Sequence, residues 1–201
     1  MERTFEQQQK TYRIIYALVR PLAALIYPIR VIGRENIPEG AAVICANHSN
    51  YIDPVLMAFA FGWDKFIHFM AKKELRSVPI LGKILEDGGV VFVERGKNDI
   101  DAIRASMRIL KAGRQVLMFP EGTRVGEDNA VDAKTGSVRI AAKLHAPIVP
   151  VYLPRRKYIF GKITITIGKP YYVEASSHEE YLLRSEEVME KIYALRDGVG
   201  A

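Results

Sequence analysis

The stretch Ala42-Val43-Ile44-Cys45-Ala46-Asn47-His48-Ser49-Asn50-Tyr51-Ile52-Asp53-Pro54 decides how the rest of the chain is read. Its first five residues are uniformly apolar, as in a strand buried on both faces. A short polar turn follows. Pro54 then opens an apolar run that ends at Gly62. Proline is tolerated at the first helical position and Asp53 is a good N-cap, so the pattern predicts a helix over 53–62. The turn can bring Asp53 back beside His48. A carboxylate that accepts one ring N–H of an imidazole leaves the other nitrogen free as a base, which suits removing a proton from an alcohol. A plainer reading has Asp53 capping a helix and His48 filling a turn. Residues 47–53 alone leave both open.

Outward from this stretch, strands and helices alternate. Strands are expected at 29–33, 66–70, 89–93, 115–119, 148–153 and 162–167, the last alternating like a half-exposed edge. Helices are expected at 78–86, 135–144 and 179–195. Another begins at Asn98 or Asp99, places Ile100, Ile103, Met107 and Leu110 on one face, and closes at Gly113. This alternation predicts an α/β single domain with a largely parallel central sheet flanked by helices. In such sheets sites form outside the carboxyl ends of strands, where the His48 turn lies. A chain of 201 residues, 49% hydrophobic and 26% charged, is globular rather than disordered and suits one domain, with or without a short appendage. Its single cysteine, Cys45, excludes an internal disulfide and a cysteine-rich metal site and suits a reducing compartment. Within an apolar strand Cys45 reads as packing. No two histidines share a helical face, so no metal or other cofactor is expected.

The first 28 residues form the expected appendage. The longest charge-free stretch there, 21–29, is far shorter than the roughly 20 apolar residues a spanning helix needs. Pro21 and Pro28 should break it into short helices. Residues 1–34 hold a net charge of +4 out of the chain's +6. Tyr12, Tyr16 and Tyr27 supply rings of the kind that settle at headgroup depth. The segment 1–28 therefore reads as a basic amphipathic helix pair lying on an anionic membrane surface, peripheral or monotopic, with the α/β domain spanning 29–201. Packing of these helices on the domain is the plainer alternative. The first nine residues are polar and no cleavage site follows, so no signal peptide is expected.

A second charged loop, Pro120-Glu121-Gly122-Thr123-Arg124, follows the strand at 115–119. Pro120 ends the strand and Gly122 permits a turn with close backbone approach. Arg124 offers a planar fork suited to phosphate, and Glu121 can accept from a substrate hydroxyl. Arg95 and Lys72 stand at two more strand ends. Each alone reads as ordinary solvated charge, but four strand ends in succession carry His/Asp, Lys, Arg and Glu/Arg. Ser49 lacks the Gly-x-Ser-x-Gly elbow of an acyl-enzyme nucleophile. His68 reads as a core or edge residue, and His145 and His178 as helix-end residues. Arg155-Arg156-Lys157 reads as a solvated face, or one that meets lipid headgroups or an acidic carrier protein. Basic residues and stacking aromatics form no recognisable nucleic-acid motif, so no nucleic acid is expected as a partner.

The ordered set NHSNYID (47–53), FVERG (92–96), FPEGTR (119–124) and IVPVYL (148–153) resembles the glycerolipid acyltransferases, especially the bacterial 1-acyl-sn-glycerol-3-phosphate acyltransferases. The resemblance covers about 29–153, most of the body of the chain, and extends to the short basic N-terminus of small members on one leaflet. It implies acyl transfer from acyl-CoA or an acyl carrier protein to the sn-2 hydroxyl of lysophosphatidic acid, giving phosphatidic acid at the cytoplasmic face of the membrane. His48 would be the base, with Asp53 holding its tautomer. Lys72, Arg95, Glu121, Gly122, Thr123 and Arg124 would bind the glycerol phosphate. Backbone N–H groups near the turns would hold the oxyanion. Members often carry Ser where Asn50 and Val125 stand here. Another lysolipid, glycerol 3-phosphate, or non-enzymatic binding of anionic lipid are the alternatives.

Overall fold

In a computed structural model, residues 3–94, 99–125 and 133–197 are described. Six α-helices and eight strands alternate among them: α1 (Phe5–Ile26), β1 (Ile29–Ile32), β2 (Ala42–Ala46), α2 (Asp53–Phe61), β3 (Ile67–His68), β4 (Met70–Lys72), α3 (Leu81–Asp87), β5 (Val91–Val93), α4 (Ile100–Lys111), β6 (Gln115–Met118), α5 (Gly136–Leu144), β7 (Ile148–Tyr152), β8 (Ile163–Ile167) and α6 (His178–Ala194). Six strands form one sheet in the order β1-β8-β7-β2-β6-β3, parallel throughout except for β7 against β8. β4 and β5 form a separate parallel pair. β2, β6 and β7 are buried along their whole length, as unbroken apolar runs require of central parallel strands.

Both faces of the sheet are covered. Val43, Cys45, Val116 and Ile148 pack with α4, α5 and α6 on one side. Ile44, Ala46, Leu117 and Val149 pack with Leu56, Met57 and Phe61 of α2 on the other. Cys45 is fully buried there, and burial pushes its thiol up to about 12, so it stays a neutral packing group.

Three expectations change. The alternating strand β8 is interior, between β1 and β7. Its threonines mimic a solvated face, but Thr166 is 4% exposed, covered by distant pairing that local pattern does not encode. The segment expected as one strand over 66–70 divides between the two sheets as β3 and β4. The N-terminal helix pair is a single helix, α1, with Pro21 inside it. A proline removes one intrahelical bond and disfavours helix, but tertiary contacts outweigh that local cost. Those contacts lie on one face: the Tyr12 hydroxyl donates toward the Ala58 and Gly62 carbonyls at 3.1 and 2.9 Å, and Tyr16 meets Phe59 edge-on. Tyr12 thereby fastens α1 to the C-terminal end of α2: the Gly62 carbonyl lies past the helix, and the Ala58 carbonyl, which already accepts the Gly62 N–H, takes a second donor. Pro28 follows the helix, and Tyr27 before it is non-helical, as a residue preceding proline prefers.

Candidate active site

β7, β2 and β6 are adjacent and parallel, so the loops after all three emerge at one carboxyl edge. The loop after β2 turns at once into α2. Within it the Nδ1 of His48 lies 2.9 Å from Oδ2 of Asp53. The same oxygen accepts the backbone N–H groups of Ser49 and Asn50 at 2.8 and 2.7 Å. An ionised carboxylate only accepts, so the ring proton sits on Nδ1, and Nε2 is left as the basic nitrogen. Asp53 is fully buried. Burial by itself would raise its pKa; the hydrogen bond from His48, the charge of Lys157 and the Asn50 N–H outweigh it and hold the carboxyl below the usual range. Its second oxygen pairs with Lys157 Nζ at 2.8 Å. Asp53 therefore does not cap α2, whose N-cap is Ile52. The carboxylate caps the turn instead.

The loop after β6 closes over this turn. Glu121 is 3% exposed; its Oε2 accepts the His48 backbone N–H at 2.7 Å, and its Oε1 accepts the Tyr193 hydroxyl at 2.5 Å. Glu121 was expected to meet a substrate hydroxyl, but both its oxygens are engaged by the protein and join the two loops. The Val125 N–H donates to the His48 carbonyl at 2.8 Å, and the Phe119 ring stacks on the imidazole with centroids 4.1 Å apart. Gly122 has φ +66, a conformation open to glycine, and a Cβ there would press on Lys134 at 3.0 Å. The Arg124 guanidinium lies over the Tyr51 ring at 3.5 Å, a cation–π contact tying it to the tip of the His48 turn. Thr123 is exposed beside it. Asn47 extends the sheet: its side-chain amide exchanges two 2.8 Å hydrogen bonds with the backbone of Leu153, fastening the start of the third loop.

That third loop holds what sequence reading missed. Lys157 was expected on a solvated face, yet its side chain is 1% exposed and pairs with Asp53. Arg155 reaches Tyr193 Oη at 2.6 Å and Glu121 Oε1 at 4.0 Å. The signal was present but faint: a basic run directly after a parallel strand adjacent to β2. Lys72 is placed apart, exposed at the end of β4 in the smaller sheet. Arg95 lies outside the described residues. A cleft of about 790 Å³ runs from Phe119 and Gly122 past Met118, Val93 and Ile103 to Lys134. Among the described residues no cluster of three or more His, Cys, Asp or Glu is arranged to hold a metal ion. The backbone N–H groups of His48, Ser49 and Asn50 are all taken by carboxylates, so an oxyanion would draw on other N–H groups near the turns. The arrangement presents one oriented imidazole at the edge of the sheet, beside a cation and an apolar cleft.

A family model described as Acyltransferase matches residues 28–154. The chain is 31% identical over 173 residues to the 1-acyl-sn-glycerol-3-phosphate acyltransferase of Bacillus subtilis, an alignment spanning 83% of this chain and 85% of that protein. It is 32% identical over 160 residues to the Arabidopsis thaliana chloroplastic 1-acyl-sn-glycerol-3-phosphate acyltransferase LPAT1, covering 73% of this chain and 44% of that longer protein. Among solved structures, the 1-acyl-sn-glycerophosphate (LPA) acyltransferase PlsC from Thermotoga maritima is similar with a TM-score of 0.69 and 29% identity, covering 94% of this chain and 79% of that one.

Proposed function

Because the chain belongs to the acyltransferase family, we propose that it moves a fatty acyl group from an acyl thioester to the sn-2 hydroxyl of 1-acyl-sn-glycerol-3-phosphate, with His48 as the general base. The observation that carries this reading is the 2.9 Å contact between His48 Nδ1 and Asp53, which leaves Nε2 as the basic nitrogen. Nε2 takes the hydroxyl proton as the alcohol oxygen attacks the thioester carbonyl. The imidazolium formed is stabilised by Asp53. Collapse of the tetrahedral intermediate breaks the C–S bond, and the departing thiolate takes the proton back from Nε2. The products are phosphatidic acid and the free thiol of coenzyme A or acyl carrier protein. No acyl-enzyme is needed, so the neutral, buried Cys45 has no part. Arg124, beside the His48 turn, binds the phosphate with Thr123, the Gly122 N–H being given to the Phe119 carbonyl at 2.9 Å; the family resemblance adds Lys72 and Arg95 to the same role. The cleft beside Phe119 receives an acyl chain.

The acceptor is a lipid, and α1 supplies a way to reach it. No described helix is long and apolar enough to cross a membrane. Ile14, Leu18, Leu22 and Leu25 are 54–75% exposed and recur at helical spacing on the side of α1 opposite buried Tyr12 and Ala23. The exposed Tyr158, Ile159 and Phe160 continue this surface, joined to α1 by the Phe160 N–H donating to the Ile26 carbonyl at 2.7 Å. With Lys10, Arg13 and Arg20 on the same helix, this face suits peripheral attachment to anionic lipid at the cytoplasmic face.

The test is acyl transfer from acyl-CoA and from acyl carrier protein to lysophosphatidic acid in vesicles. His48→Ala should lower kcat by about 10²–10⁴, the range for losing a general base, with vesicle binding unchanged. Equal transfer rates with and without the imidazole would overturn the base assignment. Vesicle binding without acyl transfer by the unaltered chain would favour a lipid-binding protein.

A further inference from the structure

The basic run after β7 sends Lys157 into the protein. Its Nζ lies 2.8 Å from Asp53 Oδ1, 3.0 Å from Ser49 Oγ and 2.5 Å from the Pro154 carbonyl. Three oxygens surround the ammonium: Ser49 Oγ and the Pro154 carbonyl accept hydrogen bonds from it, and the Asp53 oxygen pairs with its charge. The side chains of Lys157 and Asp53 are 1% and 0% exposed. We propose that Lys157 is a positioning residue of the His48–Asp53 pair: it locks the Asp53 carboxylate in orientation and balances its charge, so setting the pH at which His48 becomes available as a base. This rests on reading His48 as the base.

The geometry supports both parts. Oδ2 of Asp53 holds three donors from the turn, and Oδ1 holds Lys157, so the carboxylate cannot rotate without breaking contacts on both oxygens. A buried ion pair is a poor way to add stability, because desolvation cancels most of the attraction. Placed directly behind a base, however, it acts on that base. The ionisable groups facing His48 come from four elements. The loop after β2 brings Asp53, the loop after β6 brings Glu121 and, over Tyr51, Arg124, the loop after β7 brings Lys157 and Arg155, and α6 brings the Tyr193 hydroxyl. Two carboxylates thus meet three cations, of which Lys157 is the one paired with Asp53. Remove Lys157 and one negative charge is left uncompensated next to His48. That charge favours the imidazolium, so His48 would hold its proton to higher pH and the acid limb of kcat/KM would move up. Lysine suits the place because its compact charge fits three oxygens at the end of a thin stem.

The experiment compares the full chain with Lys157→Gln, Lys157→Met and Lys157→Arg, by pH profile and by NMR titration of the His48 ring, assigned from the signal lost in His48→Ala. In the two neutral variants kcat at neutral pH should fall about tenfold or more, and the acid limb and the ring midpoint should both rise by about half a unit or more. Lys157→Arg, which keeps the charge, should leave both near their original pH. A lowered kcat with an unmoved limb and midpoint would overturn the proposal, as would an equal rise in the Arg variant. The NMR titration needs no turnover, so it decides the coupling even if the chain transfers no acyl group, which would instead sink the functional reading. Should neither neutral variant fold, adding Asp53→Asn must restore folding, since the defect would be an unbalanced buried carboxylate. A double variant that stays unfolded refutes the pairing.

Discussion

Replacing Glu121 measures how much the two neighbouring loops depend on one carboxylate. The group accepts the His48 N–H on one oxygen and the Tyr193 hydroxyl on the other, with the Arg155 guanidinium 4.0 Å from the second. In Glu121→Gln the amide oxygen can keep the His48 N–H. The amide nitrogen then faces Tyr193 Oη, which already accepts from Arg155 at 2.6 Å, so the hydroxyl proton loses its acceptor. One hydrogen bond to a charged group goes, worth about 1.5–3 kcal/mol when buried. For a domain of this size that is a fall of roughly 3–12 °C in Tm. Glu121→Ala abandons both donors and opens a cavity at a position 3% exposed, so about 4 kcal/mol is expected. The activities should separate. The Gln variant keeps the anchor on the His48 backbone and should lose less than about tenfold in kcat, and the Ala variant about a hundredfold, from an imidazole no longer aimed. Urea unfolding and steady-state transfer give both quantities. Tyr193→Phe removes the same hydroxyl bond from the other side, so its combination with Glu121→Gln should cost less than the two changes added, by about 1.5–3 kcal/mol. Strict additivity, or an Ala variant with undiminished kcat, would refute the clamp.

Two further outcomes concern regions away from that clamp. His68 is 1% exposed; burial pushes its pKa down to about 4, against the opposing hydrogen bond to the Gly89 carbonyl. A depressed folded-state pKa means that the unfolded chain takes up the proton first. Stability is therefore full above about pH 6.5, falls by about 2 kcal/mol by pH 5, and by about 3 kcal/mol below the folded value. His68→Asn can still donate to Gly89, and its urea midpoint should fall less than the wild type's between pH 7 and 5; parallel behaviour of the two would contradict neutral burial of His68. On α1, Leu18→Asp with Leu22→Asp removes two apolar side chains worth roughly 1.5–3 kcal/mol each when fully buried. Flotation with anionic vesicles should weaken at least about a hundredfold while the thermal unfolding midpoint stays put, since both leucines are exposed in the fold. Undiminished flotation would exclude this face as the membrane contact.

The alternation of apolar runs and helical faces made the α/β class legible, and the ordered motifs at strand ends made the acyltransferase likeness legible. Both are local properties: period, caps and loop chemistry lie within a few residues of each other. The His48–Asp53 contact belongs with them, because five positions of chain and one turn suffice to form it. Glu121 shows where local reading stops. A Glu–Arg loop looks the same whether its carboxylate meets a ligand or a backbone N–H 73 positions away.

The chain by itself therefore determined the alternation, the buried strands, the histidine with its carboxylate, and a basic N-terminal segment whose charges interrupt every apolar stretch. Only the tertiary structure decided that α1 continues through Pro21, that β8 is interior, that Asp53 caps its own turn rather than α2, and that Lys157 is buried against Asp53. The reason is the same in each case. These outcomes depend on which strands become neighbours, and the order β7-β2-β6 brings residues more than 100 positions apart to one edge. Burial and charge pairing across such distances are set by the packed sheet, and no local pattern records them.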